Sequence, residues 1–214
     1  MTAKIIVIAT PKGGAGKTTV SINLGACLGD ALLIDTDPSQ SAVKWSDAAE
    51  DGSLPLAVMG FTGTKVADAI RKVVERFKYI LVDTPPSALS MGSPARSALL
   101  AADLVIVPVV PSPIDIREAV EITPFLDEIN EIRKSGGVSA LKARLLVNKL
   151  KSGTTFGAEI KEALQGVGIP VFKAVLHERE AHKHAALDGV SVLQIRGDAG
   201  TEVEQLAAEV RRII

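Results

Sequence analysis

The chain has 214 residues, 47% of them apolar but only 3% aromatic, with a formal net charge of −1. That length allows one domain with a sizeable core, expected here over 1–214. A core short of aromatics has to be built from Ala, Val, Ile and Leu, as in a parallel sheet covered on both faces. The near-neutral charge excludes an overall polyanion binder, and the lone Cys27 excludes an internal disulfide or a cysteine-only metal cage within one chain.

The N-terminus MTAKIIVIAT runs straight into a strand pattern. It has no signal-peptide core, and no apolar run is long enough to span a bilayer, so a soluble cytoplasmic protein is expected. Seven runs rich in Ile, Val and Leu follow in chain order, at 5–9, 31–35, 56–59, 79–83, 103–110, 143–150 and 170–176. Between them lie helical spacings such as Val66, Ile70, Val73 and Val74, or Ile122, Leu126, Ile129 and Ile132. This alternation predicts an α/β fold: a doubly wound, mostly parallel sheet with helices on both faces. Ligands of such sheets bind beyond the carboxyl ends of the strands. PKGGAGKTT, DTDPSQ, DTPPS and PSPID all follow strand ends. Cys27 falls in the apolar stretch after the first of these and reads as core packing.

Thr10 to Thr19 link the first strand to a helix. Gly13, Gly14 and Gly16 allow a tight turn that aims backbone N–H groups, including that of Ala15, at anionic oxygens, and the next helix adds its positive end. Lys17 can reach β- and γ-phosphates. The Thr18 hydroxyl can ligate Mg²⁺, and Thr19 completes the motif. The usual G-x-x-x-x-G-K-[ST] pattern wants glycine at 11, where this chain has Pro11, and a second lysine, Lys12, enters the loop instead. Downstream, Asp35 and Asp37 end the second strand. Asp83 closes the apolar run YILVD, the arrangement in which a carboxylate holds Mg²⁺ through water. Pro85 and Pro86 stiffen a segment suited to sensing a γ-phosphate.

KGGAGKTT resembles the deviant phosphate loop of the ParA/MinD family of ATPases. The resemblance covers nearly the whole chain and implies ATP and Mg²⁺ as ligands. It implies a homodimer closed over ATP in which Lys12 touches the partner's nucleotide, as an arginine finger does elsewhere. It further implies that Asp37 positions the attacking water, that Asp35 sits near the Mg²⁺ shell, and that Asn148 reads the adenine amine. DPSQ departs from the family's DPQ, which withholds a fixed role from Gln40. PSPID resembles a segment near the family's dimer face and is given no catalytic task.

The later part is locally basic: residues 138–196 carry nine Lys and Arg against five Asp and Glu. All three histidines fall in HEREAHKH, 177–184, whose i, i+2 spacing and lack of a zinc signature argue against a metal site. Lys173, Arg179, Lys183 and Arg196 are instead read as a basic surface. By resemblance it binds DNA non-specifically through phosphates. In TEVEQLAAEVRRII the apolar residues line one face; Glu202, Glu204 and Glu209 would oppose anionic lipid, so a final helix packed on the sheet is expected and a membrane is not an expected partner.

The resulting expectation is a short ParA-type ATPase without an N-terminal helix-turn-helix, nucleoid-associated. It would position a plasmid or a protein cargo such as a carboxysome or chemoreceptor cluster, with a ParB-like or cargo-adaptor partner stimulating hydrolysis. A MinD-like membrane-associated ATPase is the alternative. A nitrogenase-type reductase would need bridging cysteines. A bacterial tyrosine kinase would need more than the single Tyr79, and a dethiobiotin synthetase-like ligase would give Lys12 no purpose.

Overall fold

The computed structural model describes residues 2–86, 93–151 and 162–214. Seven strands form one sheet: β1 (Lys4–Ile8), β2 (Ala31–Asp35), β3 (Ala57–Gly60), β4 (Tyr79–Asp83), β5 (Leu104–Val109), β6 (Lys142–Leu150) and β7 (Val171–His177). Their order is β3-β2-β4-β1-β5-β6-β7, and every pairing among the described residues is parallel. Each expected strand is present, with ends shifted by at most one residue. The central ones are buried at nearly every position, because parallel strands must be covered on both sides.

The helices are α1 (Lys17–Leu28), α2 (Ser41–Asp47), α3 (Val66–Val73), α4 (Pro94–Ala101), α5 (Pro113–Ser135), α6 (Glu180–Asp188) and α7 (Asp198–Ile213), with a 3₁₀ turn at Val192–Gln194. Alternate strand residues feed two cores. Val7, Ile34, Val82 and Val107 meet Val66, Ile70, Leu99, Ile122 and Leu126 from α3, α4 and α5. Ile6, Leu33, Leu81 and Ile106 meet Val20, Leu24, Val203, Leu206 and Val210 from α1 and α7. Helices thus cover both faces, as expected.

Register fixes where chemistry can occur. Ile8 lies beside Asp83 on one side and Ile106 on the other, and Asp83 lies beside Asp35. The phosphate loop and both acidic strand ends therefore share one row at the carboxyl edge of the sheet. Two threonine hydroxyls bind that row together: Thr36 Oγ1 donates to Asp83 O at 2.7 Å, and Thr84 Oγ1 to Ile8 O at 2.8 Å.

The final helix packs on the sheet, but two of its acids are not on the outer face. Glu202 and Glu209 turn inward to β7, and only Glu204 of the three is exposed. The amphipathic face of α7 is spent on the core. Among the described residues no helix is long and apolar enough to cross a membrane.

Candidate active site

Gly14 and Gly16 hold φ of +77° and +83°, left-handed values that turn the loop back onto the start of α1. A Cβ on Gly16 would stand 2.5 Å from Asn148 Nδ2, so glycine is needed there for space as well as for backbone angle. Three loop carbonyls are held from outside. Lys12 O accepts from Lys17 Nζ at 3.0 Å, Gly14 O from Lys149 Nζ at 2.7 Å, and Ala15 O from Asn148 Nδ2 at 2.7 Å. Among the described residues, the N–H groups of Gly13 to Gly16 have no protein acceptor. With the positive end of α1 behind them, these donors make a cradle for an oxyanion.

Lys17 is only 7% exposed, and burial pushes its pKa down against the pull of Asp83 and Asp37. Thr18 Oγ1 donates to Asp83 Oδ2 at 2.6 Å, and Ser21 Oγ approaches Asp83 Oδ1 at 3.4 Å. Asp83 is itself buried. Loss of solvent raises its pKa to about 7, although the Thr18 bond and Lys17 favour its charge. A carboxylate so placed lacks a full counter-charge. The hydroxyl and carboxylate are hard oxygen donors that suit Mg²⁺, which keeps waters and shares phosphate oxygens. Among the described residues no group of three or more His, Cys, Asp and Glu is placed to hold a metal ion.

Asp35 is engaged by backbone donors, which the sequence reading did not foresee. Its Oδ1 accepts from Asp37 N at 3.0 Å, and its Oδ2 from Ala42 N at 2.8 Å and Val43 N at 3.3 Å. Both oxygens thus hold the 37–43 turn and the start of α2, and burial raises its pKa despite those bonds. Asp37 is half-buried, its Oδ1 accepting from Ser39 N at 2.8 Å. Gln40 precedes α2 at φ +50°, consistent with the extra residue in DPSQ.

Asp37 lines a cleft of about 530 Å³ with Gly14, Gly16, Lys17, Thr18 and Thr19, lined also by Trp45, Pro86 and Lys149. That is the size range of small-molecule sites. Lys12 is partly buried and is not among the described residues that line this cleft. A second pocket of about 240 Å³ adjoins it at Thr19 and Lys149, lined also by Asn148, His177, Arg179 and His182. The segment after Pro86 and the side chain of Asp115 lie outside the described residues.

Sequence reading missed Lys149, Trp45 and Ser21 as parts of the site. Lys149 holds φ +56° within an irregular β6–β7 pairing, and this re-aims the strand end at the loop. The dipeptide Asn148–Lys149 was visible at a strand end, but its grip on the loop depends on residues more than 130 positions away.

The four basic residues read as a surface do not line one site. Arg179 donates to Glu202 Oε1 at 3.1 Å from Nε and 2.6 Å from Nη2, and pairs with Asp198. Lys183 pairs with Glu180 at 2.8 Å. Lys173 lines a separate groove with Arg144 and Arg212, and Arg196 is exposed ahead of α7.

Residues 6–192 match the CobQ/CobB/MinD/ParA nucleotide binding domain. The chain is 32% identical over 220 residues to Maintenance of carboxysome distribution protein A of Gloeobacter kilaueensis, covering 98% of this chain and 92% of that protein. Against the protein of the same name from Halothiobacillus neapolitanus it is 29% identical over 212 residues, covering 96% and 95%. Among solved structures, the ATP complex of Cyanothece McdA superposes with a TM-score of 0.75 at 17% identity, covering 99% of this chain and 96% of that one, a likeness of fold. Together with the phosphate cradle at the carboxyl edge of the sheet, these matches make the chain a member of the CobQ/CobB/MinD/ParA nucleotide-binding family.

Proposed function

We propose that this protein is a positioning ATPase of the ParA/MinD type, which binds ATP, closes into a dimer and hydrolyses the nucleotide. The observation that carries this reading is the phosphate site: Lys17 and Thr18 converge on buried Asp83 beneath a cradle of N–H donors. A chain's own cleft is thus equipped to hold the phosphates, and by the family resemblance Lys12 is the cation that a facing copy supplies.

In this reading the Gly13 to Gly16 amides and Lys17 hold the β- and γ-phosphates. Thr18 and, through water, Asp83 are the residues that would hold Mg²⁺. Bound with the nucleotide, that ion neutralises phosphate charge. Asp37, in the cleft wall, orients the attacking water; Asp35 keeps the turn that carries it in place. Asn148 Nδ2 is committed to the loop, so reading an adenine amine falls to its Oδ1. Lys12 of each protomer serves the nucleotide of the other during transfer.

The ATP-bound dimer is proposed to bind nucleoid DNA without sequence preference and to release it after hydrolysis stimulated by a cargo adaptor. The two relatives named for carboxysome distribution favour a protein cargo of that kind over a plasmid. The membrane alternative is weakened because the apolar face of α7 is buried on the sheet. Light scattering with ATP, ADP and no nucleotide tests the reading. A doubling of mass with ATP alone, lost in Lys12→Ala and Lys17→Ala, is expected; a monomer with ATP bound contradicts it.

A further inference from the structure

The groove of about 500 Å³ that contains Lys173 shares no lining residue with the nucleotide cleft. Arg144 of β6, Lys173 of β7 and Arg212 of α7 line it, against the single carboxylate of Glu209. We propose that this groove is the surface on which the protein holds a nucleic-acid phosphodiester backbone. The proposal rests on the DNA-binding reading above and moves the contact away from Arg179 and Lys183, whose charges are already met by Glu202, Asp198 and Glu180.

The floor of the groove already carries an anion. Leu145 pairs with Val171 and Val147 with Val175, so two steps along β6 match four along β7, and 172–174 bulge from the sheet. The bulge turns two successive N–H groups outward. Lys173 N donates to Glu209 Oε2 at 3.0 Å and Ala174 N to Glu209 Oε1 at 2.6 Å. Adjacent amides gripping both oxygens of one carboxylate form an oxyanion site in the backbone itself. Glu209 fills that site, and it is the one carboxylate set against the three cations of the lining. Arg144 Nη1 donates to Ala143 O at 2.8 Å and Arg212 Nε to Ala208 O at 3.1 Å. Each guanidinium is oriented by one of its five donors. The three cations come from three separate elements, so they follow a path rather than clasp one small ion.

The chemistry selects the occupant. No aromatic side chain is among the lining residues, so bases have no stacking platform, and recognition falls on phosphates alone. Beside Ala174 and Ala208, the one larger apolar residue of the lining is Ile213, half-buried against the core, so the groove offers no exposed wedge to a lipid surface.

The test compares ATP-bound wild type with an Arg144→Ala, Arg212→Ala double variant and a Lys183→Ala, Arg196→Ala double variant, on linear duplex DNA across a salt series. The groove variant is expected to bind at least about tenfold more weakly near 0.1 M salt, with the log–log salt slope reduced by about 2. The other variant should stay within about twofold of wild type, since its Lys183 is already paired. Arg144→Lys with Arg212→Lys should hold affinity within about threefold, because a phosphate accepts a point charge; this separates lost charge from lost fold. If wild type binds DNA and the groove variant binds equally well, or only the Lys183/Arg196 variant loses binding, the groove is overturned while DNA binding stands. If wild type with ATP binds no DNA at low salt, or binds only anionic vesicles through the same arginines, the DNA reading itself falls.

Discussion

Gly16 joins backbone freedom to close packing. Gly16→Ala would force a left-handed alanine, at roughly 1–2 kcal/mol, against an Asn148 amide 2.5 Å from the new Cβ. Displacing Asn148 releases Ala15 O, so ATP affinity is expected to fall at least about tenfold, since about 1.4 kcal/mol is a factor of ten. Calorimetric titration checks this, and an unchanged Kd would show that the clamp does not shape the cradle. Asp83 is the complementary residue: buried, short of counter-charge and bonded to Thr18. Asp83→Asn should lower Mg²⁺-dependent ATP affinity by about 10- to 100-fold, the range for losing a partner that acts on the ion through water. Affinity measured with and without Mg²⁺ separates this from a general loss of binding. Local pattern was enough to find Lys17, Thr18 and Asp83, because chain neighbours dictate that chemistry. The backbone bonds of Asp35 were not legible, since a carboxylate at a strand end looks the same whether or not it also holds a turn.

Two elements, α2 and α7, show how non-local contacts organise the frame. Gly189, at φ +66°, lies against the end of α2, where a Cβ would overlap the backbone of Ala48 and Ala49. Next to it, Trp45 Nε1 donates to Val190 O at 3.0 Å. Gly189→Ala is therefore expected to destabilise the fold by about 2–4 kcal/mol through strain and overpacking, read as a lower denaturant midpoint. On α7, Glu202 accepts from His177 N, His177 Nδ1 and Arg179. Burial acts to raise its pKa, yet these bonds together hold it below the ordinary value of 4.5. A depressed folded-state pKa means the stabilisation is present above the unfolded value and disappears as pH falls through the folded one. Glu202→Ala should cost about 2–4 kcal/mol at neutral pH and progressively less in acid, so the two melting curves converge as pH drops below the ordinary glutamate value of 4.5. Parallel curves across that range would contradict the assignment. The helix itself was legible from its apolar spacing. The inward turn of Glu202 and Glu209 was not, because it answers backbone donors on an edge strand that no local pattern reveals.

At the scale of the whole molecule, one row of the sheet brings the loop, Asp35 and Asp83 together, and α2 lines the cleft with the chain's only tryptophan. ATP binding should therefore change Trp45 emission saturably, giving an affinity without any label, and Lys17→Ala should abolish the change. The fold was readable because each aliphatic run is buried on both faces, leaving little ambiguity between strand and surface. The basic residues proposed to face DNA were less readable, since charge compensation across 20 or more positions, as between Arg179 and Glu202, does not show in a local count. The central claim is that each protomer completes the other's site. Mixing Lys12→Ala protein with Asp37→Ala protein, each inactive alone, tests it most directly. A sandwich of the two variants holds one site with both an intact Asp37 and a partner-supplied Lys12. The account predicts that mixing restores ATP turnover that neither variant shows alone, at about half the wild-type rate per mixed dimer because one of its two sites is intact; no recovery, with mixed dimers demonstrably formed, would contradict it.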